Sequence, residues 1–382
     1  MVKGFVFFRD GRIPFVIEDQ RMELFTDDEL LDAFCKEYNF KNDYTLKGQV
    51  FRNGMNGGNA TFLIEYSMGS TCYLRCYMFD RFAAGEAYDT IGFQSPFLDD
   101  IFRCKYEYSK LVRSGKNLEL IPEVVYRIPF SMDGREYELS YRLGHDNRLG
   151  MMEDLDRKGE ILIPVKTGEI QECYALSTVL YRLAMFMTSH EKVPFKQITL
   201  YKNGLAKGWF YSSCVLHSAV SGADVLYYDL DVMRCIPRIL SNIALDSGNA
   251  IQKSIPLGHL GDYDSLFSTH RFLEQVIAFE YLYDKLEPNK AKNKKISLKE
   301  ELKEMFDCFP ELLQSTANSE KISTQIKELR RKITHGYTYY YDFKNDIEAK
   351  RLIILLDKLI KKMSLQKIGF SFEEIREIDR SN

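Results

Sequence analysis

The hydrophobic repeat of this chain changes once, and that change constrains its fold more than any other feature. Up to about residue 160, apolar residues come in short runs rich in β-branched and aromatic side chains. The runs are Gly4–Phe8, Pro14–Glu18, Tyr44–Arg52, Ala60–Tyr66, Cys72–Phe79, Lys105–Ser109 and Glu160–Val165. Runs of this length between turn residues predict β-strands. Beyond about residue 228 the apolar spacing becomes three and four, which predicts helices. These are Val232–Leu245, Ser265–Leu286, Leu298–Phe306, Glu320–His335 and Asp346–Met363, with Pro237 limiting the start of the first.

Turn chemistry divides the first part. Asn53-Gly54, Asn56-Gly57-Gly58 and Met68-Gly69-Ser70 are expected to separate strands. The strongest hairpin signal joins Val124–Phe130 to Arg135–Arg142 through Asp133-Gly134. In its second arm Tyr137, Leu139 and Tyr141 alternate with Glu136, Glu138 and Ser140. A helix is expected at Gln171–Ser189, followed by the strands Gln197–Tyr201 and Gly208–Ser212 around Asn203-Gly204. The sum is an α+β multidomain chain: a β-rich module over 1–215, sandwich-like or barrel-like, then an all-α domain over 228–382. The basic stretch Pro288–Lys295 reads as a loop between helices, with lysines suited to RNA phosphates or to solvent.

Charge is nearly balanced at −3 over 382 residues, but it is not even. From Arg271 onward there are roughly 22 Lys/Arg against 19 Asp/Glu, so the last third is weakly basic and compatible with nucleic acid. The opening Met1-Val2-Lys3-Gly4-Phe5 lacks the form of a signal peptide, and no apolar run reaches 18 residues. With eight scattered cysteines, this predicts a cytoplasmic protein with reduced thiols and no membrane partner. Cys72 and Cys76 lie four apart, which puts both on one face of a strand. No second pair completes a zinc knuckle, so no metal site is expected.

The segment with the most chemistry is Arg330-Arg331-Lys332-Ile333-Thr334-His335-Gly336-Tyr337. Arginine grips phosphate through forked donors, and histidine exchanges protons near neutral pH. Gly336 is placed just past a helix end, so His335 falls in the last turn, where the helix dipole favours imidazolium. The cations at 330, 331 and 332 push its proton affinity the other way, so the two influences oppose. Lys332 adds to a local positive field. Tyr337 and Tyr339, with Tyr340 and Tyr341 beside them, suit either base stacking or core packing.

The spacing of Arg330 and His335, on the expected penultimate helix of a helical domain, is similar to the Arg-x4–6-His motif of HEPN domains. The whole chain resembles ApeA-type anti-phage HEPN proteins, down to a helix such as Arg271–Glu280. The resemblance implies a HEPN helical bundle and a metal-independent endoribonuclease effector of abortive-infection type, needing no cofactor. It also implies a composite site in a homodimer or higher oligomer, a substrate of single-stranded RNA or a tRNA loop, and a phage-derived trigger at the N-terminal module. Arg330 takes the place of the motif arginine and His335 that of the motif histidine. Where the family often has asparagine, this chain has Arg331. On a regular helix Arg331 lies about 40° around from His335 and Arg330 about 140°. Either the helix end is distorted or Arg331 shares the role. Glu280 is the candidate third member, orienting His335 or Arg330. The competing reading is a catalytically inactive HEPN-like scaffold for RNA binding or dimerisation, joined to a β-sandwich ligand-binding module. His259 and His270, flanking an Asp-containing loop, are a candidate metal pair of lower rank. His190 and His145 read as structural, with His145 in a loop.

Overall fold

A computed structural model describes residues 1–39, 41–52, 55–80, 88–103, 123–145, 157–188, 193, 195–212, 234–246, 250–251, 267–286, 296–313, 318–335, 341–343 and 345–380. Within it the chain has a β-rich region followed by a helical region, in two compact units. The first unit comprises 1–129, 136–181 and 193–222. The second comprises 130–135, 182–192 and 223–382.

The strands are β1 (Val2–Phe8), β2 (Gly11–Glu18), β3 (Arg21–Leu24), β4 (Tyr44–Arg52), β5 (Met55–Met68), β6 (Thr71–Asp80), β7 (Thr90–Gln94), β8 (Glu123–Met132), β9 (Arg135–His145), β10 (Arg157–Pro164), β11 (Gln197–Lys202) and β12 (Leu205–Ser212). They make one sheet in the order β3-β2-β1-β4-β5-β6-β12-β11-β7-β10-β9-β8. β6 is long enough to serve two neighbours along one edge. Its first residues, Thr71–Tyr73, pair with Arg21–Glu23 of β3 and close six strands into a barrel. Its far half, Cys76–Asp80, pairs with β12 and starts the open remainder of the sheet. The expected sandwich is therefore one continuous sheet, closed at one end.

Alternation fills the barrel. Ile13, Phe15 and Ile17 of β2 point inward and meet Val6, Phe62 and Ile64, with Phe15 and Phe62 in edge contact at 5.1 Å. The helix α1 (Asp28–Tyr38) adds Phe34 to this core and starts at Asp27, whose carboxylate accepts from the Leu30 N–H. Cys72 and Cys76 are buried and not joined in a disulfide. Among the described residues no cluster of side chains could hold a metal.

Several expectations need correction. Asn56–Gly58 is not a turn but lies inside β5. Gly58 sits at φ 117° beside a register shift, so the Gly pair marks a bulge. Helices interrupt the strands at α1 and at α2 (Pro96–Arg103). His145 ends β9 rather than sitting in a loop. The strand expected at 105–109 lies outside the described residues. By contrast, the hairpin turn Asp133-Gly134 has both residues at positive φ, 50° and 71°, as a two-residue hairpin turn requires.

The helix α3 (Ile170–Thr188) opens on a buried carboxylate. Glu172 accepts from the N–H groups of Lys166, Thr167 and Gly168 and from the hydroxyls of Thr167 and Tyr137, at 2.7–3.0 Å. Burial alone would raise its pKa, but these five donors outweigh burial and lower it to about 2.

The second unit is built on α4 (Ile236–Leu245), α5 (Thr269–Leu286), α6 (Leu298–Cys308), α7 (Ser319–His335), α8 (Ile347–Lys367) and α9 (Phe372–Arg380). α5 packs on α8 and α6 on α7. Phe272, Phe279, Leu282, Leu302, Phe306, Ile326, Leu356 and Leu359 are buried here. Buried Arg271 is held by Asp357 of α8 at 3.2 Å. α6 starts with a full capping box at Ser297 and Glu300, and α8 starts on Asp346, which accepts from the Ala349 N–H. α9 was not expected. It makes α7, the helix bearing Arg330 and His335, the third from last rather than the penultimate. No described helix is long and apolar enough to cross a membrane.

Candidate functional site

The candidate residues gather where α5, α6 and α7 meet, and along the C-terminal half of α7. That helix is amphipathic: Ile322, Ile326, Leu329 and Ile333 are buried, while Lys327, Glu328, Arg331 and Lys332 are exposed. The spacing of three and four fixes which cation faces which way.

Arg330 borders the buried stripe and turns towards α5. Its guanidinium donates to the Glu280 carboxylate at 2.7 Å, with both side chains about two-thirds buried. Glu280 was the expected third member, and its partner in the structure is Arg330. Arg331, one residue on, is exposed. It forms no ion pair among the described residues. Lys332 is exposed too. Its charge is among the influences that lower the Asp346 pKa, after the Tyr341 hydroxyl and the backbone N–H of Ala349.

α7 stays α-helical through His335, and the Thr334 hydroxyl donates to the Arg330 carbonyl at 2.9 Å one turn back. By helical spacing Arg331 and His335 are four apart on one face of α7, and Arg330 is on another. Tyr337 and Tyr339 lie outside the described residues, as do His190, His259 and the lysine loop at 290–295. His270 is exposed and paired with Glu274 at 2.9 Å.

One residue that sequence reasoning missed belongs to this corner. Glu301, in the first turn of α6, is half-buried, and its pKa is raised to about 7. Loss of solvent is the largest cause, followed by repulsion from Glu280 and Asp284, with Arg330 partly offsetting them. The return of the chain from α5 into α6 brings these together. The Tyr283 hydroxyl donates to Glu304 at 2.8 Å; Glu280 lies one turn before Tyr283 and Asp284 next to it on α5, and Glu301 lies one turn before Glu304 on α6. Read alone, Glu301 is an ordinary acid favouring a helix start. Only the helix pairing gives it its neighbours.

The site therefore has two chemically different sides. At Arg330 the Glu280 carboxylate already engages the guanidinium, which disfavours an added phosphate. Along the outer face of α7, Arg331 and Lys332 present positive charge to solvent beside the His335 position. No family model matches the chain, and no curated protein or solved structure is significantly similar to it.

Proposed function

We propose that the chain is a metal-independent endoribonuclease of the HEPN kind, serving as an effector of anti-phage defence, and that Arg331 with His335 forms its working face. The observation that carries this reading is the split between the two arginines. Arg330 is engaged by Glu280, whereas Arg331 is exposed and four residues before His335 on an unbroken helix. Arg330 and Glu280 then hold α7 in place, and Arg331 and Lys332 meet the phosphate.

The reaction follows from what such a face supplies. The ribose 2′-oxygen bonds to the adjacent phosphorus as its proton passes to a neutral imidazole. The bond from phosphorus to the 5′-oxygen breaks, and that oxygen takes a proton from an imidazolium. The products are a 2′,3′-cyclic phosphate and a free 5′-hydroxyl. Arginine stabilises the charge that builds on the equatorial oxygens. One chain supplies one such histidine, so two chains related by a two-fold axis supply both proton transfers. Single-stranded RNA or a tRNA loop fits, because in-line attack needs a deformable backbone.

A specific observation favours the second reading, an inactive scaffold. The arginine at the motif position is already neutralised by a carboxylate. Cleavage of single-stranded and tRNA substrates by the purified protein, with and without chelator, separates the two. The expected result is chelator-insensitive cleavage with cyclic phosphate ends. It should fall at least 100-fold in His335→Ala and Arg331→Ala, while Arg330→Ala loses less activity and more stability. Intact RNA under all conditions, including extracts of phage-infected cells, would sink the nuclease reading and leave the scaffold.

A further inference from the structure

We propose that Lys327 is a further phosphate-binding residue: single-stranded RNA lies along the outer face of α7, with the reacting phosphate at Arg331 and the neighbouring phosphate at Lys327. The choice of partner rests on the reading above. The face is extended by one turn of helix, away from His335.

Lys327 stands out first by what it lacks. In the other helices of the second unit most cations are held by a carboxylate or a ring. Lys303 is held by Asp307 at 2.9 Å, Lys361 by Asp357 at 2.8 Å and Lys362 by Glu311 at 3.0 Å. Lys327 and Arg331 are exposed, and neither forms an ion pair or a ring contact among the described residues. The acids on the same side of α7 do not neutralise them. Glu320 is taken by Lys299 of α6. Glu328 stands four residues before Lys332, the favourable order for a helical pair with that lysine. A phosphate arriving at Lys327 or Arg331 displaces no carboxylate, whereas at Arg330 it must displace Glu280.

Spacing then puts Lys327 in line. Lys327, Arg331 and His335 recur every four residues, so each position is one turn further along α7 and about 40° round from the last. Neighbours in such a line have Cβ atoms roughly 5–6 Å apart. An extended strand offers one phosphate per nucleotide at a comparable step, and the long side chains take up the difference. Lys332 lies about 100° round from Arg331 and flanks the line at its reacting end. The line is short. One turn before Lys327, Ser323 is buried and the Thr324 hydroxyl is turned back to the Glu320 carbonyl at 2.7 Å. Each α7 therefore takes two successive phosphates. The line ends at the His335 position, which suits a phosphodiester strand and not an acidic peptide.

The test measures binding by the full chain and does not depend on cleavage. The probe is a fluorescent oligouridylate with every 2′-oxygen methylated, which 2′-OH attack cannot cut. Each phosphate contact on a single strand contributes a slope of about −0.7 to log K against log salt. Lys327→Gln should make the slope shallower by about 0.7 for each copy of Lys327 on the strand. Per contact, that is roughly 2.5-fold less affinity lost between about 50 and 200 mM salt. Lys327→Arg should restore the slope. Lys358→Gln removes an exposed, unpaired cation of α8, and so the same net charge, and should leave the slope at the wild-type value. If RNA is cut, Lys327→Gln should raise KM several-fold with kcat unchanged, because the phosphate it holds does not react. An unchanged slope in Lys327→Gln, or an equal change in Lys358→Gln, overturns the proposal. So does an acidic peptide that binds as tightly as the RNA through Lys327, or no binding of the probe at any salt. The two readings fail separately. RNA cut by a protein whose slope ignores Lys327 sinks only the phosphate line, whereas RNA bound through Lys327 and never cut sinks only the nuclease.

Discussion

Glu172 shows how much one carboxylate can hold in this molecule. It is buried, and five donors from a loop, a strand and its own helix start converge on it. Its pKa of about 2 lies well below the ordinary 4.5 despite burial. Because the folded-state value is depressed, the stabilisation is present above about pH 4.5 and is lost as pH falls towards about 2. Glu172→Gln keeps the shape but removes the charge from three N–H groups and two hydroxyls. It should cost roughly 2–3 kcal/mol at pH 7 in urea unfolding, and the difference from wild type should shrink as the pH approaches 3. A variant as stable as wild type at pH 7 would show that the donors find water equally well. Nothing in the sequence around Glu172 marks it. Tyr137 is 35 residues earlier, and the convergence exists only once the β9 strand lies beside the start of α3. Glu301 is hidden for the same reason, whereas Arg330, Arg331 and His335 stand together in the chain.

At the scale of elements, local chemistry was far more legible. The helices at Ser265–Leu286, Leu298–Phe306 and Glu320–His335 follow from spacing, and their starts follow from caps. Ser297 with Glu300 is such a start: the Ser297 N–H donates to Glu300 at 2.8 Å, and the Ser297 side chain takes the N–H at Glu300. Ser297→Ala should lower stability by about 1 kcal/mol in equilibrium denaturation. Since the α6 start also carries Glu301, the same variant should speed exchange of the first-turn amides of α6; a change below about 0.3 kcal/mol would mean that packing alone sets this end. Two short strands, Arg21–Leu24 and Thr90–Gln94, escaped sequence reading because four or five residues give too little alternation to stand out. α9 escaped because six of its nine residues are charged and its apolar side, Ile375 and Ile378, is narrow.

At the scale of the whole molecule, the break in periodicity near residue 228 gives the order of a β-rich and a helical region, but not how the chain is divided between compact units. The second unit draws on 130–135 and 182–192 as well as on everything after 222. Those segments lie within a hairpin and the end of a helix, so no composition change marks them. Leu183, Ala184, Met185, Phe186 and Met187 are at most 3% exposed. Burying a side chain of this size contributes roughly 1.5–3 kcal/mol, and four of the five are large. A domain has only about 5–15 kcal/mol in total, so losing this set is serious. The fragment 223–382, cut at the apparent boundary, should therefore aggregate or bind a hydrophobic dye, and it should unfold over a broad urea range. The intact chain should give a steeper transition for the same helical signal. A monodisperse fragment with a sharp transition would show that the helices need neither borrowed segment. Activity should follow the same divide: if Arg331 and His335 cut RNA, the fragment should retain the motif yet lose cleavage, because α7 loses the framework that fixes its outer face.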